Sequence, residues 1–89
     1  PGEAYLDVKP GVWILTASYG IPQADLYQVR YRQEGRQTQW TNPTEATSQI
    51  LPGLNPGKLH TVEVRGLVKG TWRNWISTTA TPLAGYTRS

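Results

Sequence analysis

The chain contains no cysteine and a single histidine, His60. Without thiols it can form no disulfide and no thiolate nucleophile, and one imidazole cannot by itself build a metal site. Cysteine usage therefore leaves the redox compartment open. No apolar run approaches the ~20 residues that cross a bilayer as a helix. The opening Pro1-Gly2-Glu3 has none of the charged-then-apolar character of a signal peptide, which fits an excised piece of a longer protein. Charge runs are missing too. Nine Lys and Arg against six Asp and Glu give a net charge of +3, but the basic residues are scattered from Lys9 to Arg88. Nucleic-acid binders concentrate such charge on one face, so no nucleic-acid partner is expected. The surplus reads first as a source of solubility and second as a surface for an acidic partner such as a heparin-like polysaccharide. N-glycan acceptors are also lacking: Pro43 blocks Asn42-Pro43-Thr44, and neither Asn55 nor Asn74 has Ser or Thr two positions on.

What is present is punctuation. Pro10-Gly11, Gly20-Ile21-Pro22, Glu34-Gly35, Asn42-Pro43, Pro52-Gly53, Asn55-Pro56-Gly57, Lys69-Gly70 and Pro82 break the chain at short intervals. The segments between are rich in Val, Ile, Thr, Tyr and Trp and frequently alternate. Tyr27, Val29 and Tyr31 fall on one face against Gln28, Arg30 and Arg32, while His60, Val62 and Val64 oppose Thr61, Glu63 and Arg65. The predicted strands are 5–9, 13–19, 26–33, 38–41, 47–51, 59–68 and 75–81. Seven short strands at this spacing imply an all-β sandwich of two antiparallel sheets. At 89 residues there is room for one domain, expected over 1–83 and monomeric by itself, with 84–89 as a linker or added tail.

Tyr27-Gln28-Val29-Arg30-Tyr31 resembles the third strand of fibronectin type III domains. The stretch from Leu54 through Asn55-Pro56-Gly57-Lys58-Leu59-His60 to Val64 resembles their turn into the sixth strand. The resemblance spans nearly the whole chain and implies a seven-stranded fibronectin type III sandwich. It further implies that His60 occupies the place of a corner tyrosine bonded back to the backbone. Two positions depart from the family pattern: Tyr19 stands where a core Trp is usual, and His60 where Tyr is usual. The end of the chain is similar to two subfamilies. Gly70-Thr71-Trp72-Arg73-Asn74-Trp75-Ile76-Ser77 half matches the Trp-Ser-x-Trp-Ser motif of class I cytokine receptors, with Arg73 and Ile76 at the two serine positions. Gly66 to Gly70 followed by Ser77 to Thr81 also resembles tenascin-type matrix repeats. The family resemblance implies a non-catalytic adhesion or receptor module of an extracellular glycoprotein, secreted or on a cell surface, with a passive spacer repeat as an alternative. Its partner would be another protein, and no cofactor is implied.

The six carboxylates are dispersed, and no nucleophile–base pair or metal cluster has plausible spacing, so catalysis is not expected. Glu3 with Asp7, or Asp25 with Glu34, are simply solvated surface groups on this reading. Trp72 and Trp75 carry two readings. Either they anchor a protein partner from an exposed loop at 69–74, or they lie on the outer sheet interleaved with Arg30, Arg32 and Arg65 as a cation–π stack. The candidate partner-binding set is Trp72, Arg73, Trp75, Arg30, Arg32 and Arg65, together with the loops at 20–25 and 52–58. Trp13 and Trp40 read as core or sheet-edge packing. Leu6-Asp7-Val8 matches an integrin-recognition tripeptide but sits in a predicted strand, where Leu6 and Val8 are more simply core residues.

Overall fold

The computed structural model describes residues 2–85. Eight strands follow one another: β1 (Tyr5–Gly11), β2 (Ile14–Gly20), β3 (Leu26–Gln33), β4 (Gln39–Trp40), β5 (Ser48–Leu51), β6 (His60–Val68), β7 (Thr71–Trp72) and β8 (Ile76–Ala80). They form two antiparallel sheets, one ordered β1-β2-β5 and the other β4-β3-β6, with β7 and β8 both paired to β6.

One strand more than the expected seven is present, and a single residue explains it. Leu67 pairs with Trp72, whereas Val64 pairs with Ile76. Three steps along β6 thus face four along its partner, so β7 and β8 are the halves of one bulged strand. The remaining expected strands recur with small shifts at their ends.

Alternation governs the packing. Along β6 every second residue from His60 to Val68 is buried, and its neighbours are half-buried on the outer face. Leu15, Ala17 and Tyr19 of β2 meet Tyr27 and Val29 of β3 and Val62 and Val64 of β6, with Leu51 and Leu54 closing one end. Leu6 and Val8 pack against this core from β1, while Asp7 between them is exposed. Leu6-Asp7-Val8 is therefore part of a strand whose two apolar members face inward.

Tyr19 is fully buried where the family pattern has Trp. Its ring centroid lies 5.0 Å from that of Tyr27, and Gln49 Nε2 donates to its hydroxyl at 3.1 Å. An indole's volume is thus replaced by two tyrosines and a satisfied polar tip. His60 is likewise buried, and its Nδ1 donates to the Lys58 carbonyl at 2.8 Å. The ring bonds back to the backbone, as the resemblance implies for this corner. Gly66 marks a close approach: a Cβ there would meet Ala24 Cβ at 3.0 Å and Ile21 Cδ1 at 3.1 Å, because the segment joining β2 to β3 lies against it.

One aromatic expectation, and one of the two readings of Trp72, need correction. Trp13 is neither core nor sheet packing. It sits exposed between β1 and β2 with φ of 63°, held by its backbone bonds to Leu83 and Leu54. The β6–β7 connection is also no display loop, because Lys69 and Gly70, both at positive φ, make a two-residue hairpin turn. Trp72 therefore rides on a strand. Pro82 is buried and Leu83 bridges to Val12, while residues 86–89 of the expected tail lie outside the described residues.

Candidate functional site

The outer face of the β4-β3-β6-β7/β8 sheet gathers three tryptophans and two arginines into one stack. Pairing places Trp40 opposite Arg30, Arg30 opposite Glu63, and Gln28 opposite Arg65. All of these side chains leave the sheet on the side away from the core.

Residues three apart on a regular strand point to opposite faces. Trp72 and Trp75 escape that rule because the extra residue of the bulge lies within the segment from Trp72 to Ile76, restoring both indoles to the outer side. The Arg73 N–H still bonds the Gly66 carbonyl at 2.9 Å, so the bulged segment remains tied to β6.

The result is an interleaved order of Trp40, Arg30, Trp75, Arg65 and Trp72. The Arg30 guanidinium carbon lies 5.3 Å from the Trp40 ring centroid and 3.9 Å from that of Trp75. The Arg65 carbon lies 4.7 Å from Trp75 and 4.5 Å from Trp72. Trp40 and Trp75 also meet edge to face at 5.6 Å. Each cation–π contact contributes on the order of 0.5–2 kcal/mol, more where water is excluded.

Side-chain bonds fix both guanidinium planes. Arg30 Nε donates to Glu63 Oε1 at 2.6 Å, the only ion pair among the described residues. Arg65 donates from Nε and Nη2 to Gln28 Oε1 at 3.2 and 2.8 Å. A planar fork held along one edge keeps its face free for the indoles, a role lysine could not fill.

Of the six residues singled out in the sequence, Trp72, Trp75, Arg30 and Arg65 come together. Arg32 and Arg73 do not stack; both are exposed on the flanks. Their exclusion is geometric, since Arg32 pairs with Thr61, beyond the last indole, and Arg73 lies in the bulge. Trp40 is the member that sequence reasoning missed. Its place in a strand following β3 was the available signal, but only the pairing with Arg30 shows that it joins the stack. It is also the most open member, 55% exposed, whereas Trp72 and Trp75 are half-buried.

Comparison with solved structures identifies the architecture. The chain aligns over its full length with 87% of the fn3 domain of human collagen α-1(XX), at 23% identity and a TM-score of 0.78. It aligns over 96% of its length with 99% of the FN5 domain of Drosophila Lar, at 14% identity and a TM-score of 0.75. It also covers 13% of a β-1,2-glucanase from Parabacteroides distasonis, at 12% identity and a TM-score of 0.73 over 93% of this chain. No protein-family model matches the sequence, and no curated protein matches it. The chain is an all-β sandwich, and the particular sandwich is that of fibronectin type III domains.

Proposed function

We propose that this domain is a non-catalytic protein-contact module, one repeat of a larger matrix or cell-surface protein, whose contact face is the outer side of the β4-β3-β6-β7/β8 sheet. The observation that carries the reading is the stack itself: three indoles held rigid by two immobilised guanidiniums, with Trp40 exposed at its end. Rigid, partly exposed aromatic and Arg side chains are what binding hot spots are made of, because little entropy is lost when a partner covers them. Fold alone would not decide this, since one fold serves many functions. The extracellular setting rests on the company the fold keeps, including a collagen domain.

Trp40, with Arg32 near it on the neighbouring strand, is then the contact residue, while Trp75 holds the stack together and Arg73 lies at the opposite edge of the sheet. A fluorescent tetramer of the domain, screened against a panel of extracellular proteins, tests this. Trp40→Ala is expected to abolish the capture at some cost in Tm, since it loses its contacts with Arg30 and Trp75, whereas Arg32→Glu, outside the stack, should abolish it with Tm unchanged. Full capture by both variants would overturn the assignment.

A second reading is favoured by the same stack. Interleaved Trp and Arg side chains are the feature that would separate a cytokine-receptor-type module from a tenascin-type repeat. On that reading the stack stiffens the sheet and ligand meets the loop at 20–25. Ala substitutions at Ile21 and Gln23 would then weaken capture where Trp40→Ala does not. A heparin-like polysaccharide is less well served by this face, since Arg30 and Arg65 are engaged within the stack. Retention on heparin that Arg30→Glu and Arg32→Glu reduce would restore it.

A further inference from the structure

At the end of the sandwich where the β3–β4 hairpin faces the segment joining β5 to β6, a cleft of about 320 Å³ opens. It is lined by Arg32, Arg36, Gln37, Gln39, Asn55 and His60, among others, and by no carboxylate. We infer that this cleft is a binding site for an acidic saccharide unit, a sugar ring bearing a carboxylate or sulfate.

The polar groups define the ligand. Neither Arg32 nor Arg36 has an ion pair among the described residues, and Glu34, in the adjoining turn, does not line the cleft. Free guanidiniums without a facing acid select an anion and exclude a cation. Gln37, Gln39 and Asn55 each present a donor and an acceptor, the pairing that vicinal hydroxyls satisfy and that a bare anion cannot use. Asn55 Nδ2 donates to Gln33 Oε1 at 2.6 Å, tying the two walls together.

His60 supplies the independent sign of a ligand. It is only 2% exposed, and its Nδ1 is committed to the Lys58 carbonyl. In the neutral ring Nε2 is then an acceptor. Among the described residues Nε2 has no protein partner, yet it is not sealed from solvent, and His60 is one of the residues that line the cleft. An accessible acceptor on an otherwise buried ring at a cationic, amide-rich cleft suits a sugar hydroxyl.

The walls are preformed. Arg36 N–H bonds the Gln33 carbonyl at 2.8 Å, and Leu54, nearly buried, bonds the Trp13 carbonyl at 2.9 Å. The volume lies near the lower end of the usual ~300–1,000 Å³ range for small-ligand sites, enough for a short saccharide. Arg32 is shared with the proposed contact set, but Arg36, the carboxamides and His60 take no part in the stack, so the cleft can bind or fail to bind irrespective of the protein-contact reading.

Titration of the ¹⁵N-labelled domain with a sulfated uronic-acid disaccharide tests it. The side-chain amides of Gln37, Gln39 and Asn55 and the His60 ring are expected to shift together, with the Trp72 and Trp75 indoles unmoved. Arg36→Glu should weaken binding about tenfold or more, the loss of one charge-assisted bond. Lys9→Glu, the same charge change on the other sheet, should leave it within about twofold. Equal shifts with inorganic sulfate would reduce the cleft to a simple anion site, and equal shifts with cellobiose would remove the need for charge. Either result overturns the inference, as would equal weakening by Lys9→Glu, shifts spread over the surface, or none at all.

Discussion

Trp72 and Trp75 lie three residues apart yet clasp the same guanidinium, that of Arg65, at 4.5 and 4.7 Å. A regular strand would have sent one of them into the core side of the sheet. The one-residue bulge between β7 and β8 prevents this, so the outer stack depends on a backbone irregularity as much as on side-chain chemistry. Removing that irregularity should therefore dismantle the stack while leaving its residues in place. Deletion of Asn74 is expected to abolish the indole–guanidinium contacts and lower Tm, read by near-ultraviolet circular dichroism and thermal melting. A deletion variant with an unchanged tryptophan signal would show that the bulge is incidental.

Stack members should also differ in energetic weight according to position. Trp75 touches both arginines and Trp40, whereas Trp72 touches Arg65 alone among the charged groups. Summing contacts of about 0.5–2 kcal/mol each, Trp75→Ala should cost about 2–4 kcal/mol and Trp72→Ala about half of that. Urea unfolding of the two variants gives the comparison. Equal losses would mean that simple area burial, not the interleaving, sets the stability.

Arg30 offers a sharper test, because it contacts Trp75 through its face and Glu63 through its edge. Arg30→Lys keeps the charge for Glu63 but loses the plane that stacks. A double-mutant cycle between Arg30→Lys and Trp75→Leu is expected to give a coupling of about 0.5–2 kcal/mol. Because these groups are only partly exposed, the coupling should change little with added salt. A coupling indistinguishable from zero would assign Arg30 to the ion pair alone.

Much of the fold was legible because burial in a sandwich follows a period of two. The alternation in Tyr27 to Tyr31 and in His60 to Val68 named the inward faces correctly, while the pairing of β3 with β6 appears only in the structure. What alternation cannot convey is register. The bulge hides in 72–76, where the expected loop at 69–74 proved to be a two-residue turn and a strand. Trp40 escaped notice for a related reason: a two-residue edge strand carries too few positions to show which side chain lies beside Arg30. The cleft at the pole was less legible still, since its residues come from segments about 20 positions apart and meet only through the hairpin and the Pro52–Asn55 segment.

Gly66 should be intolerant of even a methyl group. The neighbours a Cβ would meet at 3.0–3.2 Å include Ala24 Cβ and Ile21 Cβ, atoms fixed to the backbone with no flexible tip to yield. Gly66→Ala is expected to destabilise by about 1–3 kcal/mol through overpacking, despite the better strand entropy of alanine. Thermal melting checks this, and an unchanged or raised Tm would show that the segment joining β2 to β3 moves aside freely.

The stability of the domain should carry an alkaline limit set partly by Tyr19. Burial pushes its phenol above the ordinary value of 10.0, and the nearby Tyr27 adds to the rise, while the hydrogen bond from Gln49 works against it. In the unfolded chain the same phenol ionises near pH ~10. Above that pH the unfolded state has shed a proton that the folded state keeps, so the unfolded state gains relative stability as pH rises. The contribution of Tyr19 is thus complete below pH ~10 and is lost as the pH climbs toward its raised folded value. Tyr19→Phe removes this dependence along with the Gln49 bond, which costs about 0.5–1.5 kcal/mol at neutral pH. Urea unfolding from about pH 8 to about pH 11 should therefore show the wild-type domain losing stability faster than the variant above pH ~10, the two curves converging as pH rises. Parallel curves would place the phenol in contact with solvent and would contradict its complete burial beside Tyr27.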